Sequence, residues 1–292
     1  MAVASPTGAT PSPRNGITRS MLHWPRNYSL GVQCHPDSTT MAAANDAHHQ
    51  MVSGDTFRVV DLPLVSPTIV DQIVALPANW HGAGVLGPEV LHTFVDLVGN
   101  QRVAHSAETG TGKSTLLLSH MSSDHKVFTK DDDGGGDSLR RVQESPLLNR
   151  DFVNFVIGPT QVTVPNYTFD HSLDLVFIDG PHGYPFPDLE YLTFYPHLSH
   201  RALFVLDDIH IATIKNLFLF LREDKMFDLV CVTGNTAFFR RTDAPTFDPL
   251  GDGWWLQQYN ARRRPLRRRM SEAARARIPP SARRTIKHVI SR

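Results

Sequence analysis

The sequence predicts an α/β fold, a doubly wound, mostly parallel sheet with helices on both faces that closes in an antiparallel hairpin. Two observations carry this prediction. From Phe57 onward, short strand-like runs alternate with segments of helical period, the pattern of a parallel sheet covered on both sides. The alternation then stops at Phe227–Val232 and Thr236–Arg240, two strand-like runs joined through Thr233-Gly234-Asn235, and a Gly-Asn pair in such a place marks a hairpin turn.

Residues 1–55 are rich in Ala, Ser, Thr, Pro and Gly without a sustained period, a composition that predicts a disordered segment. Three arginines and no acid before Asp37 give it a faint likeness to a transit peptide, and Met21, Met41 and Met51 are alternative starts. The domain is expected over 56–245. Gly87-Pro88-Glu89 opens a helix whose Val90, Leu91, Phe94, Val95 and Val98 recur at helical spacing. Strands are predicted at Arg102–Ala107, Lys126–Thr129, Asp151–Ile157, Leu173–Ile178 and Ala202–Leu206. Helices are predicted to begin near Ser114, Ser138, Asp188 and Ile211. Residues 246–292 read as a linker with Trp254 and Trp255 followed by a basic tail.

Composition bounds the possibilities. The 292 residues hold 29 Lys+Arg against 29 Asp+Glu, 41% hydrophobic residues, 21 Pro and 19 Gly, which excludes collagen-like, coiled-coil and wholly disordered chains. No apolar run approaches the roughly 20 residues of a membrane span. Cys34 and Cys231 are too few for a disulfide framework, so a cytoplasmic location is expected. The neutrality is uneven. Residues 261–292 hold 12 of the basic residues and one acid, leaving 17 basic against 28 acidic in the body, an asymmetry that itself suggests charged partners.

The segment Ala107-Glu-Thr-Gly-Thr-Gly-Lys-Ser-Thr115 admits two chemistries. As a phosphate loop, Lys113 would reach terminal phosphates, Ser114 would bind Mg²⁺, and Asp179 or Asp207 would be the second carboxylate on the metal. As an acidic-x-Gly-x-Gly turn, Gly110 and Gly112 would let the backbone approach S-adenosylmethionine. Its carboxylate would then lie near the helix opening at Ser114 and its ammonium near Glu108. Glu108 weighs toward the second, since a carboxylate suits a cation better than a polyphosphate. Asp131, after the second strand, could accept ribose hydroxyls, or belong with Asp132 and Asp133 to a solvated acidic loop.

Three strings, Glu108–Thr115, Val176-Phe-Ile-Asp-Gly-Pro-His182 and Leu206-Asp-Asp-Ile209, occur in an order and spacing that resembles the class I S-adenosylmethionine-dependent methyltransferases. The closest resemblance is to the methyltransferase domain 24 branch, over roughly Gly87 to Thr242. It implies a Rossmann-like sheet of seven strands, the last antiparallel, with N-terminal helices over 66–99 capping the substrate. It also implies a cofactor set of Glu108, Gly110, Gly112, Ser114, Asp131 and Asp179. Lys113 departs from the small or apolar residue often found there, and Val103-Ala104-His105-Ser106 is poorly apolar for a central strand.

In open parallel sheets ligands sit beyond the carboxyl ends of the strands, where Asp179, Asp207 and Asp208 are expected. Such hard oxygen ligands suit Mg²⁺, and relatives resembling this chain use an acidic triad to hold a substrate hydroxyl. Asp207 or Asp208 could instead cap the next helix while Asp179 orders a turn. His182 is a candidate general base, a partner for Asp179, or a loop-ordering residue; His210 is a weaker candidate of the same kind. Gly158-Pro159-Thr160-Gln161 falls where the family contacts adenine, although a turn alone would account for it.

Arg262–Arg264 and Arg267–Arg269 could contact nucleic acid or an anionic surface, or form a solvated arm on the acidic body. The expected activity is O-methylation of a small hydroxylated acceptor, with Asp179 and His182 catalytic. The alternatives are a phosphate-loop ATP-hydrolysing protein and a binding protein that keeps the fold without the chemistry.

Overall fold

The computed structural model describes residues 59–60, 66–78, 80, 86–98, 102–131, 137–246 and 257–263. The expected disordered segment 1–55, the paired tryptophans and almost all of the basic tail lie outside the described residues. In chain order the elements are β1 (Val59–Val60), α1 (Pro67–Val74), α2 (Pro88–Val98), β2 (Arg102–Thr109), α3 (Lys113–Met121) and β3 (Ser122–Thr129). There follow α4 (Ser138–Glu144), β4 (Val153–Ile157), α5 (Thr160–Thr163), β5 (Leu173–Ile178) and α6 (Phe186–Phe194). The series ends with β6 (Leu198–Leu206), α7 (Ala212–Glu223), β7 (Phe227–Thr233), β8 (Thr236–Arg241) and α8 (Gln258–Arg263).

Seven strands form one path in the order β4-β3-β2-β5-β6-β8-β7, with short β1 paired to the start of β2. Strands β2 to β6 are mutually parallel; β8 runs antiparallel to both β6 and β7. The hairpin turn is Gly234-Asn235, and Gly234 takes the left-handed φ of +57° that glycine allows without steric cost.

Alternation along the strands explains the two cores. On β5, Leu175 and Phe177 join a cluster with Phe94 of α2, Leu116 and Leu117 of α3, and Phe238. Val176 and Ile178 point the other way, into a cluster with Phe204, Phe218 and Phe239. All six residues of β5 are buried, as expected of a parallel strand with both faces covered.

The strand that looked too polar, β2, satisfies its polar groups internally. Ser106 lies 2.5 Å from the Ser122 hydroxyl and 2.7 Å from His125 Nδ1. His125 Nε2 in turn stands 3.2 Å from Glu108 Oε1. These four side chains lie between β2 and β3, all fully buried, and buried polar groups are tolerated where they are hydrogen-bonded. The same pairing explains why β2 runs on to Thr109 and β3 starts at Ser122, both longer than predicted. On the other side of β2, Asp174 at the start of β5 accepts from His105 N at 3.2 Å and from the Ser199 hydroxyl at 2.7 Å, tying β2, β5 and β6 together. Cys231 in β7 is buried and disulfide-bonded, so the low cysteine count does not carry an argument for a reducing compartment. No helix among the described residues is long and apolar enough to cross a membrane.

Phe94 is fully buried, with edge-to-face contacts to Phe177 at 5.3 Å and Phe238 at 5.1 Å. Replacing it by alanine removes the plug between α2 and the sheet. Phe94→Ala is expected to cost about 3–5 kcal/mol, read as a lower urea midpoint with the m-value unchanged.

Candidate active site at the carboxyl ends of the strands

Parallel strands β2, β3, β5 and β6 deliver their carboxyl ends to one edge of the sheet. Between β2 and α3 only Gly110, Thr111 and Gly112 intervene. Gly110 has a φ of +92°, and its amide donates to Phe128 O at 2.9 Å. A Cβ placed there would stand 2.4 Å from the carbonyl oxygen of Asp179, so this glycine is required both by its conformation and by the close approach of β5. The Gly112 amide donates to the Thr115 hydroxyl at 3.1 Å at the start of α3, and Ser114 is buried within that helix's first turn.

Lys113 is buried, and its Nζ donates to Leu76 O at 2.5 Å. Burial holds its ammonium below the ordinary lysine range. The lysine is thus committed to the end of α1, and the phosphate-loop interpretation loses the group that should reach a polyphosphate. Glu108 is fully buried on β2. Its Oε1 meets His125, while Oε2 has no hydrogen-bond partner. An unsatisfied carboxylate oxygen directly before a glycine turn is the type of group a cationic ligand satisfies. Asp131 is exposed two residues beyond β3. Across β3, the Gly158 amide donates to Thr129 O at 2.8 Å, and Thr160 opens α5, a short helix where the sequence suggested a turn.

The acids after β5 and β6 converge in part. Asp179, His182 and Asp208 each place a ligand atom within 4.8 Å of the others. His182 Nε2 lies 3.2 Å from Asp208 Oδ2 and 3.7 Å from Asp179 Oδ1. The Thr213 hydroxyl, on α7, donates to His182 O at 2.5 Å and fixes the loop. Asp208 adopts a left-handed φ of +54°, unusual for a residue with a side chain and typical of functional sites. Asp207 turns elsewhere. The Thr236 hydroxyl of β8 donates to its Oδ1, so the close group holds His182 where the sequence placed Asp207. Neither aspartate caps α7, whose N-cap residue is Ile211 without a side-chain cap. His210 Nδ1 stands 3.5 Å from Asp208 Oδ1, more exposed than His182.

Crowding sets the electrostatics. Burial pushes the Asp179 carboxyl up to about 7; Asp207 and Asp208 add to the rise and His182 opposes it. Burial likewise raises Asp207. His182 is raised chiefly by the Asp179 carboxylate beside it. A carboxylate pair flanking an imidazole can share a proton or hold a hard divalent cation. Sequence reasoning missed Thr109 and Thr236, which hold Asp179 and Asp207, and Thr213, which holds the His182 backbone, because hydroxyls at strand and helix ends carry no pattern. It also missed Glu190, although its spacing from Pro187 and Phe194, all three buried, puts an acid on the inner face of α6.

A mostly parallel seven-stranded sheet ending in an antiparallel hairpin, with a glycine turn after its central strand and acids at neighbouring strand ends, defines the class I S-adenosylmethionine-dependent methyltransferase fold. Residues 107–209, about a third of the chain, match the family model described as "Methyltransferase domain", the segment that holds the three strings singled out in the sequence. Among solved structures, the O-methyltransferase NovP is similar at 20% identity and TM-score 0.41, over 53% of this chain and 81% of its own. A putative O-methyltransferase from Klebsiella pneumoniae is similar at 14% identity and TM-score 0.45, over 62% and 92%. The O-methyltransferase TomG from Streptomyces achromogenes, at 14% identity and TM-score 0.44, aligns over 61% and 92%. No curated protein matches the chain.

Two outcomes follow from this geometry. Gly110→Ala forces a side chain into the Asp179 carbonyl, and its S-adenosylhomocysteine affinity by calorimetry should fall at least about tenfold, or the protein should fail to fold. Because Asp179 keeps its proton up to about 7, a divalent cation must displace that proton. Mn²⁺ affinity should therefore drop by up to about tenfold per unit as the pH is lowered below 7; a flat profile would remove Asp179 from the cation site.

Proposed function

We propose that the chain transfers a methyl group from S-adenosylmethionine to a hydroxyl oxygen of a small acceptor, with divalent-cation assistance. The observation that carries the proposal is the meeting of Asp179, His182 and Asp208 beside the Gly110–Gly112 turn, which itself packs on the Asp179 carbonyl. In this reading the turn and the first residues of α3, including Ser114, receive the cofactor's carboxylate. Glu108, with its unpartnered Oε2, receives the ammonium. Asp131 serves the ribose, and Thr160 and Gln161 border the base. When bound, the cofactor supplies an electrophilic methyl on a sulfonium, and a cation supplies positive charge that favours an ionised acceptor oxygen.

The chain's own groups then have separate tasks. Asp179 and Asp208 hold the cation through hard oxygens. His182 takes the acceptor's hydroxyl proton, and the imidazolium so formed is stabilised by the two carboxylates beside it. Asp207, anchored by Thr236, adds negative charge behind them. Helices α1 and α2 cover the acceptor side, with α2 joined to the hairpin by the 3.1 Å contact of the Thr93 and Thr233 hydroxyls. The domain boundaries 56–245, flanked by an N-terminal segment and a basic tail, belong to the same proposal.

Calorimetry is expected to detect binding of S-adenosylmethionine and S-adenosylhomocysteine and none of ATP; ATP binding alone would replace this reading with a nucleotide-hydrolysing one. Methyl transfer to a panel of hydroxylated acceptors, followed with a labelled methyl group, should vanish in EDTA and return with Mg²⁺. Undiminished transfer in chelator would sink the cation. His182→Gln should lower kcat by about 100-fold or more while Mn²⁺ affinity stays within a few-fold.

A further inference from the structure

We infer that Glu190 is a positioning residue that, acting through the Thr109 hydroxyl, fixes the backbone at Asp179 and thereby the placement of the cation-binding carboxylates. This rests on the proposed role of Asp179 and adds to it two buried side chains that act on its backbone. Thr109, the last residue of β2, and Glu190, in the middle of α6, are both buried. The Thr109 hydroxyl donates to Glu190 Oε2 at 2.9 Å and accepts from the Asp179 amide at 3.2 Å.

A hydroxyl has a single proton, so its polarity here is set by its neighbours. Glu190 can take that proton, whereas the Asp179 amide can only donate. With the proton committed to Glu190, the lone pairs of Thr109 are left for Asp179 N–H. Remove the acceptor, and the hydroxyl is free to rotate and lose the amide.

The carboxyl also leaves no room for a side chain on the next residue. A Cβ at Gly180 would lie 2.5 Å from Glu190 Oε1 and 2.8 Å from Thr109 Oγ1. The Asp179 peptide is therefore held on its carbonyl side by Gly110 and on its amide side by Thr109, with Glu190 behind both Thr109 and Gly180.

A structural purpose explains this carboxyl poorly. Glu190 makes no salt bridge among the described residues, and burial pushes it up to about 7. An apolar side chain at the same inward position would avoid that desolvation cost. The carboxyl is suited to setting the direction of a hydrogen bond, which leucine cannot do.

The full-length protein tests this with Mn²⁺ alone as the cation probe, titrated at pH 8 by electron paramagnetic resonance, and with S-adenosylhomocysteine affinity measured separately. Thr109→Val and Glu190→Leu should each weaken Mn²⁺ binding by roughly 10- to 100-fold, and S-adenosylhomocysteine affinity should change by less than about threefold. Thr109→Ser and Glu190→Gln, which keep the hydroxyl and the acceptor, should restore Mn²⁺ binding to within about threefold of wild type. The double variant should bind no more weakly than either single variant, since both break one relay. Wild-type Mn²⁺ affinity in Glu190→Leu, which has the better prospect of folding, would overturn the inference and leave the cation site standing. If the wild-type protein itself binds no Mn²⁺, the cation reading falls and this inference falls with it.

Discussion

The site depends on how the Asp179 peptide is gripped where β5 leaves the sheet. Gly110 leaves no room for a side chain against the Asp179 carbonyl, and Thr109 accepts its amide proton. Both gripping residues come from the end of β2, the strand paired to β5 from Ser106 to Thr109. The pairing of two buried parallel strands thus sets the distance between the glycine turn and the acids. The neighbouring strand extends the arrangement, because the Asp207 amide donates to Ile178 O at 3.0 Å and carries Asp207 and Asp208 into place. Sheet register becomes site geometry without a long loop, so carboxylates can be held close despite their repulsion.

The architecture was legible where local signals were strong. Leu173–Ile178 coincides with the predicted strand, and the Gly234-Asn235 turn falls where the dipeptide placed it. The helix from Pro88 begins as its Gly-Pro-Glu start implied and ends at Val98. Strand limits were less legible where polar residues are buried. Glu108 and Ser122 look like turn and helix residues in isolation, and only the neighbouring strand, with His125 and Ser106, makes them strand residues. Such pairing is tertiary, and no window of the sequence contains it.

The candidate site was legible as a set of acids and illegible as a geometry. Asp179, Asp207 and Asp208 were recognisable from strand ends, but which two would face the same point depends on the backbone after β6. The left-handed φ at Asp208 turns its carboxylate toward His182, while Thr236, on a strand nearly thirty residues away, holds Asp207 aside. Lys113 shows the converse. Its sequence context suits a phosphate loop, and its partner, the Leu76 carbonyl, lies just past the end of α1, which no local motif connects to it.

Electrostatics decides between the two chemistries the glycine turn left open. A polyphosphate site needs an excess of positive charge or a cation brought with the ligand. Here the strand ends hold Asp179, Asp207 and Asp208, two of them pushed upward by burial, with Glu190 close behind and also raised. The one lysine of the turn is spent on a backbone carbonyl. A trianionic or tetra-anionic ligand would meet repulsion from every carboxylate and attraction only from the start of one helix. A sulfonium, an ammonium or a divalent cation would relieve that crowding, drawing the shifted acids back toward ionisation as it bound. The same surplus of negative charge at the strand ends therefore favours cationic ligands over anionic ones, and it makes up part of the acidic excess of the body in a chain whose formal net charge is zero.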